Sequence, residues 1–388
     1  MKQRDIVIAG YAEARSAVRT QRSAYDIAGE VFSSLLDSSG IGPNEIDGLS
    51  VTAATSECAN PFYVAFLCDA LGLEVSWLNL AALGGCSAMS GVARAMSAIR
   101  DGQCTCVLVI SADAPTTVSR ASFGAWRDEF QAPQGVLTPP AAFGLIMSRY
   151  AARHGLDTDA LGKIAVTQRA HGLMNPNACE ALRKPLTLDD YRGTRMIADP
   201  LRLLDCVMLC DGGSAVLVTT RQNASRLGLR KQVFPVAYAE ISNHAHAQPA
   251  PDATDNGFGV IAPRVFADAA LRPSDMRMLQ LYDDFTIAVL MQLEAFGFCA
   301  AGEGSRFILD TDMAWNGTLP LNTGGGQLSS GQPGLAGGGV QLTEAVRQLF
   351  GEAGGRQVDD ARNALVTGIG VIPYGRNWTT SAAMVLEA

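Results

Sequence analysis

Two distant stretches of the chain read alike. Ile41-Gly42-Pro43-Asn44-Glu45-Ile46 joins a helix pattern to an apolar run, and Leu271-Arg272-Pro273-Ser274-Asp275-Met276 does the same in the second half. The elements around them keep step. Before the first lie the apolar strand Ile6-Val7-Ile8 and a helix over about 24–36, stopped at Ser38-Ser39-Gly40, where glycine takes the left-handed cap. After it come a strand ending at Val51, a helix opened by Gly84-Gly85-Cys86-Ser87 and stopped by Asp101-Gly102, and the buried run 106–110. The second half offers a strand over 233–238, a helix over 262–270, the run 278–281, a glycine-rich turn over 324–339, a helix over 340–349 and a strand over 364–368.

A repeat of half the chain is no short-period solenoid. It implies an α/β fold of two duplicated βαβ halves, 1–225 and 226–388. Alternating strands and helices predict mostly parallel sheets covered on both faces. Residues 115–211 break the pattern with Pro133, Pro139, Pro140, Pro176 and Pro185. A segment of that kind predicts a less regular insertion acting as a lid over the active site.

Composition narrows what such a fold handles. Of 388 residues, 48% are hydrophobic, enough for a large core, and the formal net charge is −8. No Lys- or Arg-rich run is present, which argues against a nucleic-acid partner. No stretch has the length of a membrane span, and the apolar run at the N-terminus is too short for a signal peptide. Nine cysteines at irregular spacing do not form a disulfide framework, so a reducing cytoplasm is the expected setting.

Few residues invite chemistry on their own. His244-Ala245-His246 would place two rings on one strand face, but no cysteine or carboxylate pair completes a metal set. Cys104, Cys106, Cys206 and Cys210 sit in apolar segments and read as core. The glycine-rich turn lacks the Gly-Lys-Ser/Thr ending of a phosphate loop, and no Gly-x-Ser-x-Gly elbow occurs. Cys86 is the best-placed thiol, since amide N–H groups at a helix start favour a thiolate. The same position equally suits a small buried residue.

Several motifs, in order and spacing, resemble the thiolase superfamily, most closely its sterol-carrier-protein-X and lipid-transfer-protein branch. They are Gly84-Gly85-Cys86-Ser87; Ala198-Asp199-Pro200-Leu201; Asp211-Gly212-Gly213-Ser214; Tyr282-Asp283-Asp284-Phe285; Asn322-Thr323-Gly324-Gly325-Gly326 through Gly331-Gln332-Pro333-Gly334; and Gly368-Ile369-Gly370. The resemblance implies an α/β/α/β/α layered fold, a homodimer, and coenzyme A thioesters as substrates with no tightly bound cofactor. It also places Gly85, Asp283, Asn322, Gly325 and Gly370 at the substrate.

The departures from that family are specific. Counting back from Gly102 without gaps, the family's nucleophilic cysteine falls on Gly85, and Cys86 comes one residue late. Such a shift turns a side chain by about 100° around a helix. The branch's His-Asp-Cys-Phe becomes Tyr282-Asp283-Asp284-Phe285, and its Gly-His-Pro becomes Gly331-Gln332-Pro333. An amide takes no proton at neutral pH, so the usual route to a thiolate is missing. The tyrosine resembles instead the aldolase-like subgroup, which cleaves β-hydroxyacyl-coenzyme A without an acyl-cysteine. That subgroup pairs with a small zinc-ribbon/OB-fold subunit. On this reading Tyr282 or Asp284 is the base. Gln332, with backbone N–H groups near Gly85 and Gly370, faces the developing enolate. Two rival expectations remain: an acyltransferase using Cys86, and a non-catalytic acyl-coenzyme A-binding subunit of a complex.

Overall fold

The computed structural model describes residues 3–118, 128–136, 138–245, 247, 252–370 and 379–388. The chain opens with β1 (Ile6–Glu13) and α1 (Ala24–Ser39). Ser23 and Asp26 cap α1 reciprocally, and Gly40 at φ 72° closes it. Ala24, Ile27, Ala28, Val31 and Leu35 fall on one face of α1 and are buried. There follow β2 (Gly48–Thr52), α2 (Tyr63–Ala70), β3 (Trp77–Ala81), α3 (Ser87–Arg100) and β4 (Cys106–Asp113). The insertion carries α4 (Asp128–Gln131), α5 (Pro139–His154), α6 (Thr158–Met174), α7 (Leu188–Gly193) and the small hairpin of β5 (Met196–Ala198) and β6 (Leu201–Arg202). β7 (Gly212–Thr220) returns to the first sheet, and α8 (Arg221–Arg226) leads out of it.

The second half contains β8 (Phe234–Ser242), α9 (Phe258–Ala269), β9 (Met278–Gln280), α10 (Thr286–Ala295), α11 (Gly304–Asp310), α12 (Gly326–Ser330), α13 (Gly338–Leu349), β10 (Asn363–Ile369) and β11 (Thr380–Glu387). The two echoing stretches become the same device. Each is a short 3-10 turn with proline at its start, Pro43–Glu45 and Pro273–Asp275, that feeds the next strand.

The sheets repeat the connectivity. Their orders are β1-β7-β4-β2-β3 and β8-β11-β10-β9. β2 runs parallel to β4 as β9 does to β10, while β4/β7 and β10/β11 are antiparallel. The counterpart of β3 in the second half is a single parallel bridge between Leu279 and Leu321. The expectation of mostly parallel sheets needs correcting, because both are mixed. β1 and β7, and β8 and β11, are antiparallel neighbours as well. A strand runs parallel to its predecessor only if a crossover carries the chain to the other end of the sheet. β7 and β11 re-enter from the end at which β4 and β10 leave.

Apolar side chains form three clusters that mark the layers. One packs α1 on the outer face of the first sheet. A second holds Met89 and Val92 of α3 with Ala345 and Val346 of α13 between the two sheets. The third covers the outer face of the second sheet with α9 and α10. This is the expected α/β/α/β/α order. The insertion is more regular than its prolines imply. It carries two long helices, and Phe143, Ile146, Met147 and Ile164 from them join Phe258, Phe285 and Leu290 in the third cluster. No helix among the described residues is long and apolar enough to cross a membrane.

Candidate active site

The starts of α3 and α13 meet at the centre of the molecule through glycines. A Cβ at Gly338 would stand 2.0 Å from the Gly85 carbonyl oxygen, and one at Gly368 2.5 Å from the same atom. Only residues without side chains allow this approach. On Gly85 itself lies the ring of Tyr282: a Cβ there would stand 2.1 Å from Tyr282 Cε2 and 2.6 Å from its hydroxyl oxygen. Gln332 Nε2 donates to that hydroxyl at 3.3 Å. Tyr282 and Gln332, fifty positions apart in the chain, are thus brought together beside Gly85.

Cys86 is held in the core. It is fully buried among Met89, Val366 and Met384, and its thiol donates to the Thr380 carbonyl at 3.7 Å. Burial, with Glu240 nearby, pushes the thiol well above its ordinary pKa, against a backbone donor from Ala382. A nucleophilic thiolate needs the opposite environment.

The acids of the Tyr282-Asp283-Asp284 run divide. Asp283 accepts from Gln327 N–H at 2.9 Å, Leu328 N–H at 3.2 Å and Gln341 Nε2 at 2.6 Å. It pins the start of α12, although burial still raises its pKa to about 7. Asp284 turns elsewhere. Its Oδ1 is buried with no hydrogen-bond partner among the described residues. Burial first, then the neighbouring Asp283, raises its carboxyl well above the usual range. Tyr282 is raised likewise, by burial and then by Asp284, so it stays a neutral phenol.

Three residues named for the substrate make contacts with the backbone. Asn322, at φ 48°, donates through Nδ2 to the Leu281 carbonyl at 2.9 Å. A Cβ at Gly325 would meet Gly172 Cα at 2.7 Å, so this glycine seats the turn on α6. Gly370 N–H donates to the Thr380 carbonyl at 2.8 Å, which removes it as a free donor toward a substrate oxygen.

Other residues at the site gave no signal in the sequence. Tyr282 N–H donates to Thr367 Oγ1 at 2.8 Å, the Thr367 hydroxyl donates to Gln292 Oε1, and Gln292 Nε2 donates to the Tyr282 carbonyl at 2.7 Å. This closed ring fixes the tyrosine backbone with two side chains from different elements. His171 is committed elsewhere: it accepts from Trp315 N–H at 2.9 Å through Nε2, and its Nδ1 lies 3.1 Å from the Asn322 carbonyl. No group of three or more His, Cys, Asp or Glu comes together as a metal site among the described residues. His246 lies outside them.

The family model Thiolase C-terminal domain-like matches residues 239–387. The chain is 31% identical over 388 residues to a steroid side-chain-cleaving aldolase of Thermomonospora curvata, covering 95% of this chain and 96% of that protein. It belongs to the thiolase superfamily. Within the superfamily it falls in the sterol-carrier-protein-X-like branch that holds the aldolases. It is 32% identical over 352 residues to 17-hydroxy-3-oxo-4-pregnene-20-carboxyl-CoA lyase of Mycobacterium tuberculosis, covering 85% of this chain and 87% of that one. The solved Ltp2-ChsH2(DUF35) aldolase superposes with a TM-score of 0.87 at 28% identity, over 99% of this chain and 98% of that chain.

Proposed function

We propose that the protein is a thiolase-fold lyase that breaks a C–C bond of a β-hydroxyacyl-coenzyme A thioester by a retro-aldol step. One observation carries the reading. The Tyr282 ring occupies the space over Gly85 that a side chain at that position would need, and the ungapped count from Gly102 puts a thiolase nucleophile at the same position. A covalent acyl-enzyme has no room there, and a retro-aldol needs none. Transfer through Cys86 would require its thiol to leave the core.

In the reaction a base takes the β-hydroxyl proton. The oxygen lone pair closes a new carbonyl, the Cα–Cβ bond breaks, and its electrons pass to the thioester as an enolate that is then protonated at carbon. Asp284, with its unpartnered oxygen, takes the first proton. Tyr282 keeps its phenolic proton and, with Gln332 Nε2, donates to the enolate oxygen. A preorganised donor of this kind lowers a barrier by about 3 kcal/mol. Asp283, Asn322 and Gly325 hold the walls.

The coenzyme A thioester is the substrate, and no other cofactor is required of this chain. With the reading go a homodimer, a reducing cytoplasm consistent with nine irregularly spaced cysteines, a division of the chain near residue 225, and a small zinc-ribbon/OB-fold partner subunit. The similar solved aldolase, which joins Ltp2 to ChsH2(DUF35), supports the last.

Steady-state kinetics with the partner subunit present test the reading. Tyr282→Phe loses about a hundredfold or more in kcat, while Cys86→Ala keeps activity near that of the native chain. An acyl adduct trapped on Cys86 by mass spectrometry would establish the acyltransferase instead. Tight thioester binding without turnover would leave only a binding subunit.

A further inference from the structure

A cavity of about 230 Å³ lies between α6, the segment 203–208 and α12. Its walls are largely apolar, with Leu182, Leu186, Leu204, Val207 and Leu328 among them. One lining residue is charged. Arg169 is only 8% exposed, and its guanidinium donates to Ser329 Oγ at 3.2 Å and to the Lys184 carbonyl at 3.1 Å. Both partners are neutral, and no carboxylate pairs with Arg169 among the described residues. The contrast lies within the same molecule: the equally buried Arg347 and Arg356 share Glu344 at 2.6 and 2.7 Å. An uncompensated buried guanidinium costs several kcal/mol. Its pKa falls through burial, with no neighbouring anion among the described residues to hold it up.

The cavity wall is also stitched to the candidate active site. Val207 N–H donates to the Asp284 carbonyl at 3.1 Å, and Gln332 N–H to the Met208 carbonyl at 2.9 Å. Leu328 N–H donates to the Asp283 carboxylate at 3.2 Å.

We propose that this cavity takes the acyl part of the thioester, and that Arg169 receives a carboxylate carried by that acyl group. The apolar walls desolvate the chain, and the incoming anion supplies the charge that the protein withholds from Arg169. A planar guanidinium with neutral partners on two nitrogens still offers Nη2 to a carboxylate oxygen. The proposal rests on the lyase reading for the thioester, while the anion site stands on the Arg169 geometry.

The experiment is calorimetric binding to the full chain, using saturated thioesters that lack a β-hydroxyl group and do not react. Two series are compared at equal length, from hexanoyl- to dodecanoyl-coenzyme A, ending either in methyl or in an ω-carboxylate. At the best length the carboxylate series binds about tenfold or more tighter. Arg169→Met removes the preference and changes methyl-ended binding by less than about threefold; Arg169→Lys keeps part of the preference. Leu186→Trp, which fills the cavity from its partly exposed side, weakens both series.

No preference at any length, a preference that survives Arg169→Met, or unchanged binding in Leu186→Trp overturns the proposal. Should Arg169→Met fail to fold, the native chain and Leu186→Trp decide between these outcomes. Because the assay involves no turnover, it fails or succeeds independently of the Tyr282→Phe kinetics that test the lyase reading.

Discussion

Tyr282 and Asp284 are both acids, and burial raises the pKa of each above its ordinary value. For the phenol this preserves a proton to donate. For the carboxyl it makes a stronger base that is ionised only at higher pH. In the proposed reaction Asp284 acts when deprotonated, so kcat should rise with pH through its folded pKa, and the acidic limb should lie above the usual carboxylate range. In Asp284→Asn that limb disappears and kcat falls by about a hundredfold or more; a limb that persists would place the base elsewhere. Stability carries the matching sign. The folded state binds the Asp284 proton more tightly than the unfolded state, so this residue costs more as pH rises above about 4 toward its folded pKa. Asp284→Asn therefore gains on the native chain in urea melts at rising pH. Asp284 was legible as a departure from a known motif. Gln292 and Thr367, which hold Tyr282 by its backbone, were not, since each is an ordinary polar residue until the second sheet and α10 are packed together.

At the scale of elements, the five-residue α12 depends on a side chain outside it. Asp283 accepts two of its N–H groups and Gln341 Nε2. Removing the acceptor strands two buried N–H groups and leaves Gln341 Nε2 only its 3.5 Å bond to the Leu281 carbonyl. Asp283→Ala should cost about 2–4 kcal/mol in urea unfolding, and should also lower kcat, because α12 leads directly to Gln332. A loss below about 1 kcal/mol would mean that the turn holds itself. The glycine run was legible as a turn, and the missing lysine ruled out a phosphate loop. That its carboxylate anchor belongs to the Tyr282-Asp283-Asp284 motif was not legible, because the two are joined only through space.

The molecule as a whole is built on two central helices, and α13 is buried along its entire length. So enclosed a helix would be expected to be apolar, yet it carries Gln341, Thr343, Glu344, Arg347 and Gln348. The charges are internally balanced. Arg347 bonds Glu344 and, across the halves, Glu13 of β1, each at 2.6 Å. Burial works to raise the Glu344 pKa, but Arg356 and Arg347 outweigh it and hold the group down to about 2. Arg347→Met leaves Glu13 without its cation in a dry interface and should cost about 3–5 kcal/mol at neutral pH. Glu344 keeps its depressed pKa in the native chain, so its stabilising contribution is present above the unfolded carboxylate pKa of about 4 and is lost as pH falls toward about 2. The penalty in Arg347→Met, measured by urea unfolding, accordingly narrows in acid. An unchanged penalty across that range would mean that packing, not charge, holds the halves together.

Duplication, the caps of α1, the buried strands and the order of the motifs are local patterns, and local patterns survive in a one-dimensional reading. The substitution of glutamine and tyrosine for two histidines was equally plain, and already pointed away from a thiolate. Folding in three dimensions settled the rest: the antiparallel return of β7 and β11, the burial of Cys86, the seat of the Tyr282 ring on Gly85, and the burial of the Arg169 guanidinium. Each depends on which backbone passes within a few ångströms of which other. Those distances arise only when sheets and helices from opposite ends of the chain pack against one another.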